Sequence, residues 1–129
     1  MYEISTEELL KTIADFLEMG HAENVVALFK KDTTMYSLSG DLLRDERFSV
    51  RLGTAVLFEE LTQLRPQEVK LALPSLLPLL KEPDPFLRGE AANIIGIINA
   101  EEGLAHLRDL QDDPNPQVAE IVTDILSKA

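Results

Sequence analysis

Two stretches of this chain repeat each other 31 residues apart. Residues 73–87 lie over residues 104–118. Leu73, Leu76 and Leu79 fall on Leu104, Leu107 and Leu110, and Pro83-x-Pro85 falls on Pro114-x-Pro116. A period of this length constrains the fold more than any single residue can. A unit of about 30 residues cannot bury its own apolar face, so such units stack on one another. An earlier stretch, residues 45–51, lies over residues 82–88 at an offset of 37, and Val50, Leu57, Phe58 and Leu61 then match Leu87, Ile94, Ile95 and Ile98. The last copy supplies Val118, Ile125 and Leu126. One helical face is written three times. The extra residues of the earlier copy fall near 62–69, where a loop can absorb them.

Local signals agree with helices throughout. Ser5-Thr6-Glu7-Glu8 reads as a capping box, and Leu9, Leu10, Ile13, Phe16 and Leu17 follow at helical spacing. Gly20 stands where a helix ends in the left-handed conformation. A second helix over about 22–31 buries Val25, Val26, Leu28 and Phe29, and Lys30 and Lys31 complement its dipole. Thr33 or Thr34 then caps a third helix reaching about Arg44. Pro66 suits a helix start, and Pro78 removes a backbone hydrogen bond and kinks the helix that holds it. Pro83, Pro85, Pro114 and Pro116 mark tight turns. No stretch alternates with period two, so no sheet is expected. The expected fold is all-α, about eight helices in four stacked antiparallel pairs forming a right-handed α-solenoid. The whole of 1–129 reads as a single domain, with a divergent helix pair over 5–31 and repeats over 34–64, 66–99 and 101–128.

The fullest copy runs Leu79-Leu80-Lys81-Glu82-Pro83-Asp84-Pro85-Phe86-Leu87-Arg88-Gly89-Glu90-Ala91-Ala92-Asn93-Ile94-Ile95-Gly96. Its pattern, paired leucines, an acid, an apolar residue followed by arginine, then paired alanines and an Ile-Gly, resembles the HEAT repeat. It is most similar to the short bacterial and archaeal variety also found in phycobilisome lyases. The resemblance implies a ladder in which turn acids and helix arginines tie neighbouring repeats. The candidate acids are Asp45, Glu82 and Asp113, and the arginines are Arg51 and Arg88. Arg88 is expected to reach an acid or a carbonyl of an adjacent turn, with Glu82 or Asp45 as the acids. Ala119 replaces the arginine in the last copy, as expected where no further repeat follows.

The residues assemble no catalytic chemistry. His21 and His106 stand alone, outside any metal-ligand spacing. Asp109, Asp112 and Asp113 sit at a helix end without the alternating oxygen ligands or the glycine of a calcium loop, and read as a solvated turn. Glu59-Glu60 and Glu101-Glu102 are neighbours on a helix and point about 100° apart. The serines lack a His–acid constellation, and single glycines form no phosphate cradle. Gly53 and Gly96 instead suit close helix packing. The chain has no cysteine, which fits a reducing compartment. The acidic start at residues 1–5 argues against a signal peptide, and no apolar run spans a bilayer, so a soluble cytoplasmic protein is expected.

The net charge is −11, spread over both halves of the chain. A field of that sign repels nucleic acid and anionic lipid, so neither partner is expected. Two function classes remain. The first is a non-enzymatic scaffold or adaptor that binds another protein, with no cofactor and no metal. The second, implied by the resemblance, is a bilin-lyase-like or lyase-accessory protein holding a small ligand in the repeat concavity. Tyr2 and Tyr36 are its only tyrosines and it has no tryptophan, so that pocket would be small. The second helices of the pairs line the inner curve of such a fold. Their outward residues Val56, Glu60, Glu90, Asn93, Ile97 and Asp124 form the candidate partner-binding ridge. Its charge predicts a basic partner face.

Overall fold

The computed structural model describes residues 4–129; the acidic start at 1–3, Tyr2 included, lies outside them. All regular structure among the described residues is helical. Helix α1 (Thr6–Glu18) begins as the sequence requires, with the Ser5 hydroxyl accepting from the Glu8 backbone N–H at 3.1 Å. It ends in a Schellman turn: the Gly20 N–H donates to the Leu17 carbonyl and the His21 N–H to the Phe16 carbonyl, with Gly20 at φ 81°. Phe16 and His21 meet edge to face across this turn. Helix α2 (Ala22–Lys31) then buries Val25, Val26 and Phe29, and Leu28 less completely.

The first helices of the next two pairs are not continuous α-helices. After α2 a 3₁₀ stretch (Thr33–Leu38) leads into a short α3 (Ser39–Leu43). Its cap is Asp32, whose carboxylate accepts from the Thr34 N–H at 3.0 Å, rather than either threonine. In the following pair, 3₁₀ turns (Glu68–Ala72 and Leu77–Lys81) flank a four-residue α5 (Leu73–Leu76). Pro74 and Pro78 each remove an N–H near the start of the α5 and Leu77–Lys81 segments, so the kink expected at Pro78 becomes a change of helix type. These irregular segments also approach very closely. The Gly40 N–H donates to the Ser75 hydroxyl, and a methyl group at Gly40 would lie 2.3 Å from the Ser75 carbonyl oxygen.

The second helices are regular. They are α4 (Phe48–Leu64), α6 (Pro85–Ile98) and α8 (Pro116–Lys128), with α7 (Glu101–Arg108) completing the last pair. Pro85 and Pro116 open α6 and α8, whose caps are the side chains of Asp84 and Asn115. Part of the extra length of the earlier copy is absorbed by α4 itself, which runs to Leu64. Helix α4 packs on α6 and α6 on α8, while α1 and α2 close the other side of α4. Glycines set the approach. A Cβ at Gly53 would lie 2.9 Å from Leu17 Cβ, and one at Gly96 would lie 2.8–3.0 Å from three side-chain carbons of Ile125.

One core runs the length of the array. Val50, Leu57, Phe58 and Leu61 are buried in α4, as are Ile94, Ile95 and Ile98 in α6 and Val118 in α8. Leu87, the counterpart of Val50 and Val118, is only half-buried at the edge of α6. Ile125 and Leu126 are also half-buried, since α8 has a neighbouring row helix on one side only. Phe29, Tyr36 and Phe58 form an edge-to-face aromatic cluster with ring centroids 5.0–6.4 Å apart. Truncating Ile94 to alanine is expected to cost roughly 2–5 kcal/mol by chemical denaturation. Gly40→Ala is expected to cost about 1–3 kcal/mol, because its methyl group meets backbone rather than a movable side chain. A loss well below 1 kcal/mol for either would contradict the packing described.

Candidate docking surface on the α4, α6 and α8 row

The two register arginines, Arg51 and Arg88, lie in the first turns of α4 and α6 and reach back to the turns before them. Arg88 Nη1 donates to the carbonyls of Glu82 and Pro83 at 2.8 and 3.0 Å, and its Nε and Nη2 donate to both Asp113 oxygens at 2.9 Å. The acid is Asp113 of the following turn, where Glu82 or Asp45 was expected. Asp113 is therefore no solvated turn residue: its side chain is 3% exposed and that of Arg88 12%. Asp109 and Asp112 are exposed. Hydrogen bonding from Arg88 holds the Asp113 carboxyl below the usual range, against the cost of burial.

Arg51 repeats half of this arrangement. Its Nη1 donates to the Asp45 carbonyl at 2.7 Å, as Arg88 does to Glu82. The carboxylate in register to meet it, Glu82, bonds Arg44 instead. Asp45 pairs with Arg47, which also reaches Asp15 and Glu18 of α1 and so ties the first pair to the rest. Arg51 is left between two aromatic rings, 4.7 Å from the centroid of Phe86 and 5.8 Å from that of Phe48, and its buried Nε has no partner. The expected ladder of Asp45, Arg51, Glu82, Arg88 and Asp113 is thus a closed clasp between α6 and α8 and a stacked one between α4 and α6.

The expected ridge is split among three environments. Val56 is 40% exposed on the outward line of α4, while Glu60, seven residues beyond Gly53, lies toward the α1 side. Glu90 is half-buried beside Arg51. Burial raises its carboxyl above the usual range and the Arg51 charge offsets part of that rise. Glu90 and Asn93 line a cleft of about 310 Å³ between α6 and α8, with Phe86, Gln117 and Ile121 among its other walls. Asn93, Ile97 and Asp124 meet farther along, in a shallow depression beside Gly96.

Three exposed apolar side chains that the ridge omitted stand close to its Val56 end. Phe48, Leu52 and Phe86 are 61%, 54% and 50% exposed, and with Val56 they form one patch bridged by Arg51. A signal for it exists in the sequence. Phe48 falls opposite Pro85, Leu52 opposite Gly89 and Phe86 opposite Ser49, so none occupies an apolar position shared by the copies. An apolar residue that does not recur in the core register has no core place to fill.

A family model for HEAT repeats matches residues 39–127, more than half of the chain, and the protein belongs to the HEAT-repeat family. Comparison with curated proteins and with solved structures gives no match. No helix among the described residues is long and apolar enough to cross a membrane.

Two carboxylates in this region should titrate with opposite effects on stability. Asp113 has a lowered pKa in the folded state, so its contribution is present above the ordinary carboxylate range and is lost as pH falls through its folded value. The Tm deficit of Asp113→Asn should therefore be large at pH 7 and shrink in acid. Glu90 has a raised pKa, so the native state holds its proton longer than the unfolded chain, and stability falls as pH rises through that window. The Tm of Glu90→Gln relative to wild type should accordingly rise from pH 4 to pH 7. Paired thermal melts from pH 7 down to about pH 2 check both signs, with the Asp113 effect at the acid end and the Glu90 effect at the neutral end; parallel curves would contradict the environments described.

Proposed function

We propose that this protein is a non-catalytic docking scaffold that binds another protein through the outward faces of α4, α6 and α8. One observation carries the reading: the exposed apolar patch of Phe48, Leu52, Val56 and Phe86, centred on a stacked arginine. Aromatic residues and arginine are the side chains enriched at the cores of protein interfaces, and contiguous exposed apolar surface marks interaction sites. HEAT-repeat proteins are typically interaction scaffolds, which agrees with the family membership. The ridge residues Val56, Glu60, Glu90, Asn93, Ile97 and Asp124 belong to this surface as its continuation and acidic rim.

Charge indicates the partner. Around the patch the cations are engaged: Arg47 with three carboxylates and Arg51 with a carbonyl and two rings. Glu46, Glu59 and Glu60 stand exposed beside it. The partner face is therefore apolar at its centre and rich in Lys or Arg at its edge, and it binds in the cytoplasm without a cofactor.

The test is affinity capture from native lysate with wild type and with Glu59→Lys/Glu60→Lys, followed by mass spectrometry at low and moderate salt. A stoichiometric protein should be retained by wild type, weakened by salt and released by the charge-reversed variant. Equal retention by both proteins would remove this surface. A co-purifying chromophore with visible absorbance would replace the scaffold reading with the bilin-binding one.

A further inference from the structure

The exposed apolar side chains of α4 follow a line. Phe48, Leu52 and Val56 are spaced i, i+4 and i+8, and so lie along one side of the helix over about 12 Å. Phe86 at the start of α6 flanks the line, and the Arg51 guanidinium lies 4.7 Å from its ring centroid and 5.8 Å from that of Phe48, linking the two helices at this surface. Glu59 and Glu60 follow Val56 in the next turn of α4, Glu60 at the next i+4 step of the spacing; Glu46 precedes Phe48. The surface is thus a straight apolar stripe on helical spacing, with carboxylates at both ends.

We propose that the occupant of this stripe is an amphipathic helix of a basic partner, an inference that rests on the docking reading above and names its partner class. The apolar ridge of the partner helix lies along Phe48, Leu52 and Val56 and against Phe86. Its Lys and Arg side chains meet Glu46, Glu59 and Glu60. Three observations select this occupant. An extended peptide that adds a strand needs a sheet edge, and the described residues contain no strand. A second copy of this chain would bring the same carboxylates and a charge of −11 against their like, which disfavours self-association. A helix presents apolar side chains at the same i, i+3, i+4 and i+7 spacing as the stripe, so the two lines can interdigitate over several turns.

The inference also assigns Arg51 a role distinct from that of Arg88. Arg88 spends its guanidinium on an internal carboxylate, whereas Arg51 supports the rings that the partner touches. Arg51 is therefore a positioning residue. Arg51→Lys should keep the charge yet weaken binding, since a single ammonium is less suited than a guanidinium to lie near the Phe86 ring while also bonding the Asp45 carbonyl.

The experiment uses a fluorescently labelled designed peptide of about 18 residues, five helical turns, with Leu on one face and Lys on the other. A scrambled peptide of the same composition and a version with Glu for Lys are the controls. Anisotropy titrations of the full chain should show the Lys helix binding at least about tenfold more tightly than either control. Leu52→Asp/Phe86→Asp should abolish that preference with the Tm little changed, because both side chains lie outside the core. Amide chemical-shift changes on adding the Lys helix to wild type should centre on residues 46–60 and 86–97, a readout that does not depend on any variant folding. Equal binding of the scrambled peptide, or shift changes centred elsewhere, would overturn the proposal. Should the helix fail to bind while Glu59→Lys/Glu60→Lys still releases the native partner, the helical occupant is refuted and the docking reading stands.

Discussion

No helix pair in this protein can cover its own apolar face. Leu57, Phe58 and Leu61 of α4 are buried because α1 and α2 lie on one side and α6 on the other. Ile94, Ile95 and Ile98 are buried because α6 sits between α4 and α8. Each pair supplies the surface its neighbour needs, so stability is a property of the row and not of a unit. The half-buried state of Ile125 and Leu126 follows from the same constraint. Glycines at 53 and 96 then decide how near the helices come, since a methyl group at either would meet Leu17 or Ile125 inside normal contact distance.

Polar groups specify what hydrophobic burial leaves free. The apolar face alone would tolerate sliding between helices; the turn arginines oppose it. Arg88 does so with two backbone carbonyls and a bidentate carboxylate, a geometry that a planar guanidinium fits and an ammonium does not. Arg51 keeps the carbonyl bond and exchanges the carboxylate for two rings. At the register of Asp113, Glu82 bonds Arg44 across the layer of first helices and leaves Arg51 to the rings.

The outward sides of the second helices carry no such shared requirement, and they diverge. Val56 and Asn93 occupy equivalent positions, yet one is apolar and the other polar. Core positions are held apolar across the copies by burial, with Thr54 as an exception: it stands where Ala91 and Val122 do, and its hydroxyl donates to the Val50 carbonyl. Outward positions answer only to water or to a partner. The concentration of Phe48, Leu52, Val56 and Phe86 at one place is therefore informative where a conserved-looking core leucine would not be.

Much of the architecture was legible in the chain. The Ser5 cap and the left-handed Gly20 depend on residues close in sequence, and the 31-residue period on spacing alone, so all three could be placed without tertiary contacts; Pro85 and Pro116, read as turn residues, instead open α6 and α8. The broken first helices were legible only in part: the prolines announced an interruption, but the 3₁₀ turns around α5 and the backbone approach of Gly40 to Ser75 depend on a neighbouring layer. The acid that meets Arg88 was misassigned for the same reason. Register nominates the carboxylate at the same turn, whereas the side chain reaches forward to Asp113 across a gap that exists only once α6 and α8 are packed. The candidate surface was the least legible. Periodicity identifies which residues face away from the core, but not how far α4 and α6 stand apart or whether Arg51 spans them. Sequence alone determined the repeating helices and their shared buried face, because those follow from local spacing. Tertiary structure decided the ion-pair partners and the exposed patch, because both depend on distances between residues far apart in the chain.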